Sequence, residues 1–133
     1  MPRKSAAELA VAPRVVEVTP RPVAPSHLAD EEAAEWEAIV SALPADWFPR
    51  DTHALLEQHC QHIIRARRIA QLIHDAESED DVDILKLKTL YDMQDKQTRV
   101  IASGATKMRI SQQTKHDREK GKGGRKAAAP WQK

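Results

Sequence analysis

A chain of 133 residues has room for one modest domain and little for a deep catalytic cleft. Its aromatics are Trp36, Trp47, Phe48, Tyr91 and Trp131, too few for a β-sandwich core, while Ala, Leu, Ile, Gln, Glu, Lys and Arg are plentiful, so the expected fold class is all-α. Cys60 is the single cysteine, which excludes an intrachain disulfide, and the net charge of +1 hides a segregation in which residues 26–48 carry six acids and no Lys or Arg while residues 104–133 carry nine basic and two acidic groups.

In chain order, residues 1–25 read as a flexible arm, because Pro2, Pro13, Pro20, Pro22 and Pro25 interrupt any helix. Val11, Val15, Val16 and Val18 offer an alternative, an extended strand docked on another surface. The N-terminus has no apolar core of signal-peptide length, and no stretch approaches the roughly 20 apolar residues of a membrane span, so neither secretion nor a membrane partner is expected. Residues 26–104 are expected to form the helical domain.

A first, short helix is predicted from Asp30 to about Leu43, with Asp30 as N-cap or first-turn acid and Leu28 placed for a hydrophobic staple. Ala33, Trp36, Ile39, Val40 and Leu43 fall on one face, and Pro44 stops the helix. A second helix is predicted from Arg50 or Asp51 to about Ala76, its apolar face being Leu55, Leu56, Ile63, Ala66, Ile69, Ala70 and Ile73, with Cys60 at the margin. Ser78-Glu-Asp-Asp81 reads as the cap of a third helix, running from about Glu79 to Ser103 and ending before Gly104. Its face comprises Val82, Leu87, Leu90, Tyr91, Met93, Val100 and Ile101, with Gln94 and Gln97 on the same side.

Two rods of about 37 Å joined by a very short turn fold back as an antiparallel hairpin. Three helices of this size are marginal alone, so self-association is expected, through Leu56, Ile63, Ala70 and Ile73 of the second helix and Leu87, Leu90, Met93 and Val100 of the third. A free-standing three-helix bundle is the alternative. From 105 to 133 the sequence reads as a basic, flexible tail in which Lys107, Arg109, Lys115, Arg118, Lys120, Lys122, Arg125 and Lys126 suit contact with nucleic-acid phosphates; a tail that only confers solubility is the other reading.

Other clusters carry less. Arg65, Arg67 and Arg68 occupy successive helix positions and cannot share one face; Arg67 is placed to bridge to an acid of a neighbouring subunit, line a pore or stay solvated. His59, Cys60 and His62 lack the further ligands of a zinc site, the acids at 79–83 lack a calcium loop's glycine, and no Walker-type loop occurs. Neither metal nor cofactor is expected, Cys60 reads as an inert thiol, and no base, nucleophile and orienter constellation marks an enzyme.

The order of features resembles the small subunits of tailed-phage terminases over about residues 25–120. The resemblance is carried by Pro25-x-x-Leu28, by Glu32-x-x-x-Trp36-x-x-Ile39-x-x-x-Leu43, by Asp51-x-x-x-Leu55-x-x-x-x-Cys60, and by the closing phrase Ala102-Ser-Gly-Ala-Thr-Lys-Met-Arg-Ile-Ser-Gln-Gln-Thr-Lys115. It implies a ring-forming homo-oligomer in the cytoplasm of an infected bacterial host. Such a ring binds double-stranded viral DNA and delivers it to a large terminase subunit that holds the ATPase and nuclease. It makes Lys86, Lys88, Lys96 and Arg99 candidates for a ring surface facing DNA. A general DNA-binding or regulatory protein, and a non-enzymatic helical interaction module, remain as alternative functions.

Overall fold

A computed structural model describes residues 18–112, and within them the secondary structure is helical throughout: α1 (Asp30–Ser41), a single 3-10 turn (Arg50–Thr52) leading into α2 (His53–Glu77), and α3 (Ile84–Lys107). α1 begins on three acids, Asp30, Glu31 and Glu32, which favour the positive end of its dipole. Leu28 just before it and Ala33 one turn in join the same core, the staple expected from the sequence.

Segment 21–24 is docked, contrary to the expectation of a flexible arm through residue 25. The Arg21 guanidinium donates to the carbonyls of Val40 (2.6 Å) and Leu43, tying off the C-terminal end of α1. Trp36 Nε1 donates to the Pro22 carbonyl at 3.0 Å, and Ala24 packs on the core. The chain thereby runs along α1, with one stretch satisfying polar groups on the other.

The third helix differs from expectation at both ends. Ser78 serves α2 instead: its backbone N–H and its hydroxyl both donate to the His74 carbonyl, at 3.1 and 2.7 Å. α3 waits for Asp83, whose carboxylate accepts from the Lys86 N–H at 3.1 Å, so the four acids of 79–83 stay in the turn rather than stacking within one helical turn. Gly104, expected to end the helix, is buried within it. The end comes at a Schellman turn, where Ile110 N–H donates to Ala105 O (2.9 Å) and Arg109 N–H to Thr106 O (3.1 Å). Arg109 takes the left-handed position of that turn (φ 58°), which glycine usually fills.

Two apolar clusters form. The larger gathers Leu28, Trp36, Val40, Leu43, Phe48, Leu56, Cys60 and Met108 from α1, the adjoining loops, the start of α2 and the end of α3. Trp36, fully buried at its centre, meets His53 edge to face (5.8 Å, 80°). The smaller comprises Ile69, Ile73, Ala76 and Leu90, with Leu87 packed against it.

α2 therefore buries two stripes where the sequence suggested one. Leu56, Cys60 and Ile64, four apart, turn toward the α1 side, and Ile69, Ile73 and Ala76 turn toward α3. Ile64 is buried in place of Ile63, which is half-buried, and Ala70 is exposed.

α2 and α3 meet at several points: His59 at Gly104, His62 at Gln97, Ile73 and Leu90 in one cluster, and Glu77 at Tyr91. The two clusters are separated by a small and polar layer. In it His62 Nδ1 donates to Gln97 Oε1 (2.8 Å), and His59 lies so close to Gly104 that a Cβ there would stand 2.8 Å from His59 Nδ1. Gly104→Ala should destabilise the fold by about 1–2 kcal/mol, overpacking outweighing alanine's better helix propensity. Urea unfolding measures it, and adding His59→Ala should recover part of the loss; an unchanged or raised midpoint for the single variant would contradict the close approach.

Candidate functional site

The charged end of α3 is the part of the predicted nucleic-acid interface that lies within the described residues. Lys107 is the last residue of α3 and Arg109 the left-handed residue of its closing turn; both are exposed and line an open groove of about 510 Å³ with Asp46, Trp47, Phe48 and Thr52. The local build explains why the groove is firm. Pro44 and Pro49 bound a short turn, Trp47 N–H donates to the Pro44 carbonyl (3.0 Å), and Trp47 Nε1 donates to the Met108 carbonyl (3.0 Å). Phe48 and Met108 are buried beneath, and the Phe48 carbonyl accepts from His53 (3.1 Å). Left-handed backbone costs a non-glycine residue about 1–2 kcal/mol, so Arg109 holds its cation here against a local penalty. Lys115, Arg118, Lys120, Lys122, Arg125 and Lys126 lie outside the described residues.

The residues expected to meet a second copy divide into three groups. Leu56, Ile73 and Leu90 are buried in this chain's own core and are not presented outward, a correction to their assignment as surface contacts. Ile63 and Leu87 are half-buried. Ala70, Met93 and Val100 are exposed, Met93 by 42% and Val100 by 43%. Met93 and Val100 are seven residues apart and share a flank of α3. Leu72, Ile84 and Leu85 are also exposed, the last two by more than three quarters, and were not singled out by periodicity. Lys86, Lys88, Lys96 and Arg99 are all exposed on α3, Lys86 lying 3.8 Å from Glu79.

The arginine run resolves through α1: Arg67 donates to Glu35 at 2.7 Å within the chain, while Arg65 and Arg68 are exposed. His27 contacts Glu57 across the start of α1 and α2. Burial pushes the Cys60 thiol up to about 12, with Glu35 and Glu32 acting in the same direction, so thiolate chemistry at neutral pH is negligible. Among the described residues no group of three His, Cys, Asp or Glu side chains is placed to hold a metal, and no helix is long and apolar enough to cross a membrane.

His59 is the most unusual polar group, and its spacing to Gly104 was not legible beforehand. It is 6% exposed, and its Nδ1 has no hydrogen-bond partner. Burial lowers its pKa; the Glu35 carboxylate pulls the other way, and His62 adds a lowering of its own. No family model, no curated protein and no solved structure matches the chain.

The lowered His59 value has a definite sign. Unfolded chains bind the proton near pH 6.5 and the folded chain resists until lower pH, so the neutral imidazole's contribution is complete above 6.5 and is lost as pH falls through the folded value. Unfolding free energies from urea titrations between pH 7.5 and 5 should fall by at most about 1.4 kcal/mol per pH unit from this one proton. His59→Gln should flatten that part of the profile; an identical slope in the variant would place the acid sensitivity elsewhere.

Proposed function

We propose that this chain is a DNA-binding adaptor of the terminase small-subunit kind, which binds double-stranded viral DNA and recruits or regulates a large subunit carrying the ATPase and nuclease. The observation that carries the reading is the end of α3. The closing phrase from Ala102 is held on the core by the Trp47 to Met108 hydrogen bond and the Schellman turn at Arg109, and the sequence then continues at once into the cationic segment. A rigid helix terminus followed by cations suits electrostatic contact with a phosphate backbone, where each neutralised phosphate releases counterions. The acids of α1, Asp30, Glu31, Glu32, Glu35 and Glu37, carry the opposite sign, favouring an orientation in which that helix is turned from the DNA.

Self-association is the second half of the reading, supported by the part of the α2 and α3 hairpin beyond α1. Among the described residues its core is Ile69, Ile73, Ala76, Leu90 and Leu87, and Leu72, Met93, Ile84 and Leu85 stand in solvent, as does Val100 nearer α1. Packing side by side with copies of itself in a closed ring would cover them. The same exposed residues favour one alternative, a helical module that binds a different protein partner. Stimulation of a terminase ATPase separates the two, because a plain interaction module leaves that rate unchanged.

Binding of the full chain to duplex DNA, followed by fluorescence anisotropy across salt, should give a log-log slope of roughly −5 if six cations engage. Lys120→Glu with Lys122→Glu should weaken binding uniformly across DNA sequences, whereas a loss confined to one sequence would indicate base readout and an unchanged affinity would remove the tail from the interface.

Native mass spectrometry should show one closed oligomer at micromolar concentration. Met93→Asp with Val100→Asp should dissociate it while circular dichroism stays helical, since both side chains are already half in water. A strict monomer in the unmodified protein would contradict the ring.

A further inference from the structure

His59 stands where two surfaces meet. On one side its imidazole is seated against Gly104, so closely that a Cβ there would lie 2.8 Å from Nδ1 and 3.7 Å from Cε1. On the other side it borders an open groove of about 340 Å³ between the three helices, lined also by Glu35 and Ile39 of α1, Ile63 of α2 and Ala105 of α3. We propose that His59 is a two-position proton switch: neutral, the ring stays on Gly104; protonated, it turns into the groove and pairs with the Glu35 carboxylate, leaving the end of α3 without the contact that seats it on α2.

The first support is the chemistry of the present seat. Nδ1 is buried there without a hydrogen-bond partner. A neutral ring keeps its N–H on Nε2 and leaves one lone pair unmet at Nδ1, whereas a protonated ring brings a cationic N–H to a glycine Cα, which accepts nothing. The seat therefore holds the neutral form and rejects the charged one.

The second is where the charges around the ring lie. From α1, Glu35 favours the proton, and from α2 itself His62, held by Gln97, opposes it. α3 turns the uncharged Gly104 and Ala105 to the ring and its groove, while the cations at its end, Lys107 and Arg109, are exposed around the other groove beside Trp47. The one attraction for an imidazolium thus comes from the groove side. Arg67 steadies Glu35 with a hydrogen bond of 2.7 Å without saturating it, since a carboxylate accepts from several donors.

The third is what the ring supports. The three atoms nearest to a Cβ at Gly104 all belong to His59, so the imidazole is the surface on which α3 rests at that point. When it leaves, the last turn of α3 loses its inner support up to Met108, whose carbonyl is tied to Trp47 Nε1 at 3.0 Å. Two discrete seats for one buried ring make the element bistable, and burial places the change below the ordinary histidine value of 6.5. The switch stands independently of the DNA-binding reading.

The test is an NMR titration of the full chain from pH 7.5 to 5. At pH 7.5 the His59 Cε1 proton should show Overhauser contacts to Gly104, and these should give way to contacts with the Ile39 methyls as the ring protonates, with the helical signal retained. Gly104→Ala, which expels the ring sterically, should reproduce at pH 7.5 the amide shifts that Ala105 and Ile110 show at pH 5 in the unmodified chain. Glu35→Gln should move the His59 midpoint to lower pH, and Arg67→Gln, which leaves Glu35 to the imidazolium alone, should move it to higher pH. Contacts to Gly104 that persist through the titration would overturn the switch, as would midpoints unmoved by both variants. A single cooperative loss of all helical signal at the His59 midpoint would also overturn it.

Discussion

α2 has to bury apolar side chains in two directions, and the rest of the molecule is arranged around that demand. Its first half turns Leu56, Cys60 and Ile64 toward α1, and its second half turns Ile69, Ile73 and Ala76 toward α3. A single 25-residue helix cannot satisfy both with one neighbour. The first half is surrounded: α1, segment 21–28, the turn at 44–49 and the end of α3 converge on Trp36. Among the described residues, the second half buries its apolar side chains against α3 alone. Stability is therefore graded along the molecule, greatest at the Trp36 cluster and least toward the turn at 78–83, where Ile84 and Leu85 stand in solvent.

Between the clusters, polar and small residues set how α2 and α3 align. Apolar contacts tolerate sliding by a turn, whereas the His62 to Gln97 hydrogen bond and the seating of His59 over Gly104 do not. Removing the glycine or charging the imidazole disturbs the same layer, by steric and by electrostatic means respectively. That layer also couples the base to the outer half, because His59 borders the groove beside α1 while packing against α3.

Charge and backbone chemistry then orient the ends. Arg21 closes α1 by binding its terminal carbonyls, Asp83 opens α3 by accepting from Lys86 N–H, and the Schellman turn closes α3 with Arg109 in a left-handed conformation. Each meets the same requirement, that helix-terminal donors and acceptors be satisfied. Each also places the next segment: the extended strand beside α1, the acidic turn outside α3, and the start of the cationic sequence next to Trp47. The proposed adaptor role draws on the last of these.

Periodicity and composition were sufficient for the helical class, for the apolar stripe of α1 around Trp36 and Val40, and for a long α2, because these depend on residues near one another in sequence. They also singled out the basic run, of which Lys107 and Arg109 fall at the end of α3. Partnership was decided only in three dimensions. One hydrophobic stripe on α2 became two because α1 and α3 arrive from different sides, which moved Ile64 inward and left Ala70 outside. Gly104 looked like a helix stop and proved to be a point of close approach, since a glycine's role depends on what stands opposite it, here His59. Leu56, Ile73 and Leu90 could be recognised as apolar from the sequence, but whether they face their own chain or another is a property of packing, and the tertiary contacts put them inside.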